Sequence, residues 1–466
     1  MAGTEVNVAH VTDDKESGLN KGLTAGVIGL GYVGIATAVA LAQHGRRVEC
    51  YERDDEKARC MRDGNVPIFE PGIQELFGGC ITTGSIILRQ SLAEVLLDCQ
   101  VVFIAVGTPP AHDGSPDLSY VDQVASEIAA ALQPGQVIVL KSTVPPDTFR
   151  RVRLTIERER ARTQMPPVDF DVAVNPEFLR EGQAVKDSLF PERIIVGADS
   201  ERASSAVAHV YASFGAPIVI MDPVSAMLVK YASNCFLATK ISFINEMARI
   251  CELAGGDVDQ VARGMGMDTR IGRQYLRAGL GYGGSCFPKD TVGLLSIGRV
   301  LGYEPAVVKA AAEVNERQYL VAIEKLRQQL GQLHGAAVGV LGLAFKADTD
   351  DTRESVSLRL IKDLLQAGSM VRAHDYRAIE NARRELPEVA YFSDVYEAVA
   401  GCNALVVATE WSDYRGLDWA RVGRLMKGNV VIDGRNLLDG AHLVELGFRY
   451  DGIGLLVRSA DASRHD

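Results

Sequence analysis

The chain has 466 residues, which at about 150 residues per domain predicts about three domains. Hydrophobic residues make up 47% and charged residues 23%, a globular composition that argues against a disordered or fibrous protein. With 49 Lys and Arg against 60 Asp and Glu, the formal net charge of −11 argues against a general binder of nucleic acid or membrane surfaces, although small anions can still be held by local cations.

The sequence predicts no membrane span, because no uninterrupted apolar run approaches about 18 residues. Residues 1–22 are polar and acidic, unlike a secretory signal peptide, and we expect a loose tail there. The eight cysteines are scattered, with no C-x-x-C pair and no clustered histidines. This pattern predicts a reducing cytoplasm and argues against a metal site or a disulfide framework.

Strand-like and helix-like segments alternate in the first part of the chain. An apolar run at 23–30 precedes helical spacing over 32–44, and Gly45 is placed to end that helix. Further short apolar runs lie at 47–51, 101–106 and 137–140. Short apolar strands separated by helices predict a parallel sheet covered on both faces.

The middle of the chain has few strand signals between Pro223 and about Leu330, and residues 224–254 predict one long helix. A helix of that length can join two domains or pack against a second copy, so we expect a spacer and a dimer interface. After Gly335 the alternation resumes, with strands expected at 336–343, 370–375, 404–409 and 430–433 (the last) and a helix over 353–367. The sequence thus predicts an α/β protein with two Rossmann-like doubly wound domains joined by a long central helix and a helical dimerisation region.

A G-x-G-x-x-G pattern begins at Gly29, after a predicted strand and before a predicted helix, which is the context of a dinucleotide site. Gly29 permits the tight turn, Gly31 lets the backbone approach a pyrophosphate, and Gly34 lets the helix pack close to the strand. The next strand ends in Glu52, an acid that can accept both ribose hydroxyls and repel a 2′-phosphate. The motif therefore predicts NAD rather than NADP.

The segment 279–290, GLGYGGSCFPKD, places Cys286 after four glycines and just before Lys289 and Asp290. The glycines indicate a backbone that passes close to another group, and a nearby cation makes a thiol a better nucleophile. We expect the other seven cysteines to be inert buried thiols.

A dinucleotide site together with a nucleophilic thiol predicts four-electron oxidation of a primary alcohol. A first oxidation gives an aldehyde, the thiol adds to form a thiohemiacetal, a second oxidation gives a thioester, and water releases the acid. Neither motif contains a histidine, which disfavours a two-electron dehydrogenase with a histidine base.

Many ordered blocks between about residues 24 and 454 resemble the UDP-glucose 6-dehydrogenase branch of the nucleotide-sugar dehydrogenase family. The blocks are GVIGLGYVG, PIFEPG (67–72), VGTPP (106–110), KSTVPP (141–146), NPEFLREG (175–182), the 230–256 helix beginning KYASN, GMGMDTRIG (264–272), GYGGSCFPKD, FKADTDDTRES (345–355) and DGRN (433–436). NPEFLREG and YLRAGLGYGGSCFPKD look more like the glucose-type enzymes than the GDP-mannose or UDP-N-acetylhexosamine types.

The resemblance implies NAD-dependent oxidation of UDP-glucose to UDP-glucuronate, with two NAD per product, in a homodimer or larger homo-oligomer. It also implies a domain organisation: a tail at 1–22, an NAD-binding Rossmann domain at 23–215, a central helical dimerisation domain at 216–330 and a C-terminal nucleotide-sugar-binding Rossmann-like domain at 331–466.

Catalytic roles follow from the same resemblance, with Cys286 as the nucleophile. Lys230 and Asn234, four positions apart on a helix, share a face and are expected to stabilise the oxygen that carries charge during addition and thioester collapse.

The resemblance assigns proton transfer in the alcohol oxidation to Asp290, Thr143 and a bound water. Glu177 is expected to activate the water that hydrolyses the thioester, and without the resemblance it reads equally well as a solvated loop carboxylate.

Two further sets are implied to bind the ligands. The cofactor set is Gly29, Gly31, Tyr32, Val33, Gly34, Glu52, Arg53, Gly107, Thr108, Ser142, Thr143, Glu181, Lys289 and Arg353. The substrate set is Phe178, Leu179, Glu181, Lys230, Asn234, Arg270, Tyr275, Gly283, Phe287, Lys346 and Arg435. Since the residue matching Arg270 reaches into the partner subunit in the family, the resemblance implies at least a dimer.

Some features leave alternatives open. Glu52 stands where the family more often has Asp, and the neighbouring Arg53 weakens the argument against NADP. The same chemistry on TDP-glucose or GDP-mannose is one alternative. A two-electron hydroxyacid dehydrogenase and a non-catalytic NAD-binding regulator are two others.

Overall fold

The computed structural model describes residues 24–455 and the backbone of a short strand at Val8–Ala9. The chain divides into two compact units, Met1–Ser233 and Asn234–Asp466. Apart from Val8–Ala9, the segment 1–22, where we expected a loose tail, lies outside the described residues. Within 24–455, no helix has the length and apolar character that crossing a bilayer requires.

The first unit is built on one sheet. Its strands are β1 Val8–Ala9, β2 Thr24–Ile28, β3 Arg47–Tyr51, β4 Ile86–Leu88, β5 Val101–Ile104, β6 Val137–Leu140, β7 Asp171–Val174, β8 Ile194–Ala198 and β9 Ile218–Met221. Their order is β1-β9-β8-β7-β6-β5-β2-β3-β4. The six strands from β7 to β4 are parallel, in the order of a doubly wound dinucleotide-binding sheet, whereas β8 is antiparallel to β7 and β1 is antiparallel to β9.

Helices cover both faces of this sheet. They are α1 Tyr32–Gln43, α2 Asp55–Arg62, α3 Ile73–Thr83, α4 Leu92–Asp98, α5 Ser119–Ala131, α6 Thr148–Arg162, α7 Ala184–Leu189 and α8 Glu201–Val210. Alternate residues of β5 enter different apolar clusters, with Val101 and Phe103 on one face and Val102 and Ile104 on the other. Burial on both faces explains why these strands are continuous apolar runs.

The long helix predicted at 224–254 is confirmed as α9, Pro223–Ala254, whose 32 residues begin in the first unit and end in the second. Asp222 starts it by accepting a hydrogen bond from the Ser225 backbone N–H at 2.9 Å. The chain continues through α10 Val258–Gly266, α11 Phe287–Val300, α12 Ala306–Gln318 and α13 Leu320–Leu330. The prediction of a helical middle is therefore confirmed over the described residues 223–330.

The second unit contains a sheet with strands β10 Ala337–Leu341, β11 Met370–His374, β12 Ala390–Phe392, β13 Ala404–Val407, β14 Val430–Asp433 and β15 Arg449–Gly452. All are parallel, in the order β12-β11-β10-β13-β14-β15. This is the doubly wound order of the first unit again, so the predicted fold class is confirmed. The associated helices are α14 Val356–Gln366, α15 Ile379–Glu385, α16 Val395–Val399, α17 Ser412–Arg415, α18 Trp419–Leu425 and α19 Gly440–Glu445.

Two predictions about elements of the second unit were wrong in detail. The strand at 430–433 is not the last, because β15 pairs with it; its sequence, RYDG, has too little apolar character to predict a strand. The helix expected over 353–367 begins only at Val356, because Glu354 adopts a left-handed φ of 51° and Ser355 is extended.

Candidate active site

The glycine-rich turn after β2 has the geometry that a dinucleotide requires. Gly29 has a φ of 88°, and a Cβ on Gly34 would lie 1.9 Å from the Gly29 carbonyl oxygen, so both positions exclude other residues. A Cβ on Gly31 would meet nothing within 4 Å, and Gly31 caps α1 without a side chain. Tyr32 and Val33 form the first turn of α1. The turn therefore presents an open helix N-terminus, which fits the pyrophosphate of NAD.

Glu52 is the first residue after β3 and lies beside this turn. One carboxylate oxygen accepts a hydrogen bond from the Leu30 backbone N–H at 2.8 Å, and the other accepts from the Asp54 N–H at 3.0 Å. The carboxylate is thus held where the ribose of a dinucleotide is expected. Arg53 is exposed.

Two further loops extend the cofactor region at the same edge of the sheet, one after β5 and one after β6. The Ser142 hydroxyl donates to the Val106 carbonyl at 2.6 Å, and the Thr108 hydroxyl donates to the Thr143 carbonyl at 3.0 Å. These bonds join the loop containing Gly107 and Thr108 to the loop containing Ser142 and Thr143. Because carboxyl ends of parallel strands share one edge, both loops lie at the edge that carries the glycine turn.

The loop after β7 brings together Glu177 and Lys230. The Glu177 Oε1 and Lys230 Nζ atoms are 2.7 Å apart, and both side chains are buried. Glu177 Oε2 accepts from the Leu179 N–H at 2.7 Å, and Lys230 Nζ lies 5.7 Å from the centre of the Phe178 ring. Glu181, expected near the nicotinamide ribose, is half-buried on the same loop.

The charge on Glu177 is set by two opposing effects. Burial is the largest single effect and raises the pKa of its carboxyl group, but the ion pair and hydrogen bond with Lys230, the Leu179 N–H and the nearby Lys141 together outweigh it, so the pKa lies below its usual value. Glu177 is therefore a carboxylate at neutral pH. A carboxylate oxygen can accept more than one hydrogen bond, so the pair with Lys230 leaves acceptor capacity for a water molecule.

Sequence reasoning gave no role to a buried network behind Glu177. Lys141 Nζ donates to Asn175 Oδ1 at 2.8 Å, and the Tyr211 hydroxyl donates to the same oxygen at 2.8 Å. Burial lowers the pKa of Lys141 to about 8. The position of Lys141 directly after the apolar strand 137–140 was the one feature of the sequence that pointed to this network. Its partners Asn175 and Tyr211 lie 34 and 70 residues away in sequence, so they could not be predicted.

Glu70 was also missed, although the PIFEPG block that contains it was noted. Its two carboxylate oxygens accept from the Gly182 and Ala184 backbone N–H groups, each at 2.7 Å. Glu70 thereby fixes the end of the loop that carries Glu177 and Glu181.

In the second unit, Cys286 is the residue that precedes α11, and it is half-buried. The Asp290 backbone N–H donates to the Cys286 carbonyl at 2.8 Å. Asn234 Nδ2 donates to Asp290 Oδ2 at 2.6 Å, and Lys289 Nζ donates to Asp290 Oδ1 at 2.7 Å. Since Asp290 is 1% exposed, the structure places a paired, buried carboxylate one helical turn after the thiol. A helix N-terminus favours a negatively charged sulfur.

Six of the other seven cysteines are more buried than Cys286, at Cys50, Cys80, Cys99, Cys235, Cys251 and Cys402. The expectation of a buried thiol was wrong for Cys60, which is half-buried as Cys286 is. Burial raises the pKa of Cys99 and Cys235 to about 12 and that of Cys402 to about 11. Such thiols are poor nucleophiles at neutral pH. Among the described residues, no group of three or more His, Cys, Asp or Glu is arranged to hold a metal.

The aromatic residues expected to line the substrate slot lie together in the second unit. The ring centres of Tyr275 and Phe287 are 6.1 Å apart, and those of Tyr282 and Phe287 are 5.8 Å apart. Tyr275 has a φ of 66°, which is strained for a bulky residue and is typical of functional sites. A Cβ on Gly283 would lie 2.2 Å from the Glu354 carbonyl oxygen, so this loop is as close-packed as its glycines suggested.

Arg435 is a second-unit cation with unused hydrogen-bonding capacity. Its Nε donates to the Ala408 carbonyl at 2.7 Å and its Nη1 donates to the Gly281 carbonyl at 2.9 Å. Its buried Nη2 has no hydrogen-bond partner within the described part of the chain. A buried guanidinium nitrogen without a protein acceptor fits an oxygen-rich anionic ligand.

The remaining predicted cations lie nearer the surface. Lys346 Nζ is 5.4 Å from the centre of the Phe345 ring, and Arg353 pairs with Asp351 at 2.6 Å. Arg270 pairs with Asp268 at 2.6 Å, and its side chain is 87% exposed. Arg270 is therefore accessible to a second molecule.

Models of one family match three successive parts of the chain. Residues 23–215 match the NAD binding domain of the UDP-glucose/GDP-mannose dehydrogenase family, residues 224–317 match its central domain, and residues 339–440 match its UDP binding domain. These matches confirm the resemblance inferred from the sequence blocks.

Individual proteins are similar over nearly the whole chain. A UDP-glucose 6-dehydrogenase of Pseudomonas aeruginosa is 43% identical, with 92% of this chain and 96% of that protein covered. UDP-glucose 6-dehydrogenase TuaD of Bacillus subtilis is 40% identical, with 92% of each covered. The structure of a UDP-glucose dehydrogenase from Pyrobaculum islandicum superposes with a TM-score of 0.86 at 42% identity, over 93% of this chain and 98% of that one. The chain therefore belongs to the UDP-glucose/GDP-mannose dehydrogenase family, with an NAD binding domain at residues 23–215.

Proposed function

We propose that this chain oxidises UDP-glucose to UDP-glucuronate, with two NAD reduced for each product. The observation that carries the proposal is the half-buried Cys286 thiol at the start of α11, one turn before the buried pair of Asp290 and Asn234. A family member that only oxidised an alcohol to an aldehyde would have no use for a nucleophile there.

The chemistry divides into two oxidations and one hydrolysis. NAD, when bound, accepts a hydride from the substrate carbon in each oxidation. In the first, the alcohol proton passes to Asp290, with Thr143 and a water orienting the hydroxyl group. The Cys286 thiolate then adds to the aldehyde carbon, and Lys230 and Asn234 donate hydrogen bonds to the oxygen that becomes negative.

The second oxidation converts the thiohemiacetal on Cys286 to a thioester. Glu177 takes a proton from water as the water attacks the thioester, and the Cys286 thiolate leaves. Overall the CH₂OH group and one water become a carboxylate, with two hydrides and three protons released.

In this proposal, residues of the first unit bind the cofactor and residues of the second unit bind the nucleotide sugar. The glycine turn, Glu52 and the loops 106–108 and 141–143 bind the cofactor, and Arg435 and Lys346 bind the nucleotide sugar. We propose the same three domains as the sequence predicted, 23–215, 216–330 and 331–466. No disulfide is recorded among the cysteines of residues 24–455, which favours the reducing cytoplasm as the place of action.

A homodimer is part of the proposal. Phe236, Phe243 and Ile250 follow one another at seven-residue spacing on α9, and all are exposed despite being large and apolar. Such a stripe is typical of a helix that packs against another helix. The exposed Arg270 then supplies the cation that the family places in the partner subunit.

The test is a panel of UDP-, TDP- and GDP-sugars with NADH counted per molecule consumed. We expect two NADH per UDP-glucose, and loss of acid formation in Cys286→Ser. One NADH per substrate with full activity in Cys286→Ala would indicate a two-electron dehydrogenase. Tight NAD binding without turnover of any sugar would indicate a regulator.

A further inference from the structure

The loop that leads to Cys286, residues 279–285, is held through its backbone by amide side chains from two helices. Asn245 of α9 accepts the Gly279 N–H on its Oδ1 at 2.8 Å, and Gln318 of α12 donates its Nε2 to the Gly279 carbonyl at 2.8 Å. Both hydrogen-bonding groups of one loop residue are thus taken by side chains rather than by a neighbouring strand.

The same arrangement recurs three residues later at Tyr282. Asn315 of α12 accepts the Tyr282 N–H on Oδ1 at 2.8 Å and donates Nδ2 to the Tyr282 carbonyl at 3.0 Å. Between the two points, Gly281 has a φ of 100°, and a Cβ there would lie 2.7 Å from Asn315 Oδ1. The loop therefore approaches Asn315 as closely as a glycine allows.

The three amides are buried, with Asn245 at 0%, Asn315 at 6% and Gln318 at 4% exposure. A buried amide costs free energy unless it is hydrogen-bonded, and an apolar side chain would fill a helix interface at no such cost. A carboxamide, however, offers the donor and acceptor of a peptide group and can replace a paired strand. The three buried amides are therefore explained if they serve to fix the position of the 279–285 loop rather than to pack the helices.

We propose that Asn245, Asn315 and Gln318 are positioning residues that fix the 279–285 loop and so keep the Cys286 thiol in place for attack on the aldehyde. This inference rests on the proposed function of Cys286. Two backbone bonds hold the same loop against other loops of the second unit, from the Leu280 N–H to the Gly434 carbonyl and from the Gly284 N–H to the Arg353 carbonyl, each at 3.0 Å. Those bonds remain in the variants below, so the loop shifts rather than unfolds when an amide is lost.

The test uses Asn315→Leu and Gln318→Met, which keep approximate side-chain size and remove the hydrogen bonds. NADH and UDP-glucuronate are counted per UDP-glucose consumed without hydroxylamine, which would cleave the thioester, and released aldehyde is trapped as its oxime in a parallel reaction with hydroxylamine. We expect acid formation to fall about 10²-fold, as for a small displacement of a reacting group. We also expect the NADH yield to fall from two toward one with trapped aldehyde accumulating, and NAD affinity to stay unchanged.

Asn403→Ala is the matched control, since its Oδ1 accepts the Ala337 N–H at 2.9 Å at the start of β10 in the same unit. It removes an amide that orders backbone without contact to the loop, and should keep two NADH per UDP-glucose. Asn315→Asp, which retains the acceptor for Tyr282, should recover part of the acid formation. If Asn315→Leu does not fold, Gln318→Met, which loses a single bond, decides the question.

Wild-type acid formation in Gln318→Met would overturn the inference. A second result would also overturn it: the loop variants and Asn403→Ala all still yield two NADH per UDP-glucose, and the rate of each falls in proportion to its loss of thermal stability. Failure of the proposed function is a separate outcome, recognised by two NADH per UDP-glucose in Cys286→Ser with every amide intact.

Discussion

Glu177 and Lys230 form a buried ion pair in the first unit. The role proposed for Glu177, activation of the water that hydrolyses the thioester, can be tested by neutralising its carboxylate. Glu177→Gln keeps the side-chain size and removes the proposed proton acceptor for thioester hydrolysis. We expect hydrolysis to slow by about 10²- to 10⁴-fold, the usual contribution of a general base, while both hydride transfers are affected less. Intact-mass measurement after a single turnover should then find the substrate acyl group on Cys286.

The control is the double variant Glu177→Gln with Cys286→Ser, in which no adduct should form. A Glu177→Gln enzyme that turns over slowly but never shows added mass would contradict the hydrolytic role. In that case the ion pair would serve to orient Lys230.

Lys141 predicts a pH dependence of stability. Because burial lowers its pKa to about 8, the Lys141 ammonium loses its proton near pH 8 in the folded chain. In the unfolded chain it keeps that proton up to the usual lysine pKa of about 10.4. The free energy of unfolding therefore rises with pH across that window, by about 3 kcal/mol from this group. Below pH 8 both states are protonated and the full cost of the buried charge is present.

Lys141→Met removes the titration and leaves a constant offset from the lost bond to Asn175. Denaturant unfolding at pH 7, 8, 9 and 10 gives the free energy of unfolding of both proteins. We expect the stability of the wild type to increase relative to that of the variant above pH 8. A difference that is flat with pH would show that Lys141 titrates normally in the folded protein.

Two glycines of the turn between β2 and α1 have separable roles. A Cβ on Gly34 would overlap the Gly29 carbonyl, so Gly34→Ala should displace α1 and lower stability by about 1–3 kcal/mol. A Cβ on Gly31 meets no protein atom, so Gly31→Ala should fold normally yet lose NAD affinity, because the methyl group takes the space of the pyrophosphate.

Thermal unfolding and NAD titration by calorimetry distinguish the two variants. Equal NAD affinity in Gly31→Ala and wild type would show that the cofactor does not approach this turn. Unchanged stability in Gly34→Ala would show that the turn adapts more freely than its geometry indicates.

The exposed apolar stripe on α9 predicts where two copies of the chain meet. Phe243→Glu places a charge within the stripe of Phe236, Phe243 and Ile250, and should raise the dissociation constant of the proposed dimer by about 10²-fold or more. Light scattering coupled to size exclusion, over a concentration series, measures this change. Leu97→Glu on α4, at a similarly exposed apolar position, is the control and should leave the assembly unchanged. A dimer of unaltered strength in Phe243→Glu would place the interface elsewhere.

For the whole molecule, the features that sequence could predict are those encoded locally. The strands at 24–28, 101–104 and 137–140 are apolar runs, and the Gly29 turn carries its conformation in its own glycines. The strand at 449–452 lacks such a signal, because an edge strand needs burial on fewer sides.

The site shows the same division between local and distant information. Cys286 and Asp290 could be predicted as site residues because they are four residues apart in one motif. The contacts of Glu70 with Gly182 and of Asn315 with Tyr282 were not, because their partners lie 112 and 33 residues away and only the fold joins them. No spacing rule within one sequence encodes such pairs.

The proposed binding of NAD by the first unit and of the nucleotide sugar by the second predicts a pattern of hydrogen exchange. With NAD alone, protection should increase in the loops at 29–34, 106–108 and 141–143 of the first unit, because bound ligand reduces local opening there. With UDP alone, protection should increase around 279–284 and 434–436 of the second unit, where the Arg435 guanidinium has an unfilled bonding position. Exchange of the loop at 386–389, distant in sequence from both sets, serves as the internal reference. If UDP protects only residues of the first unit from hydrogen exchange, the nucleotide of the substrate binds to the first unit and not to the second.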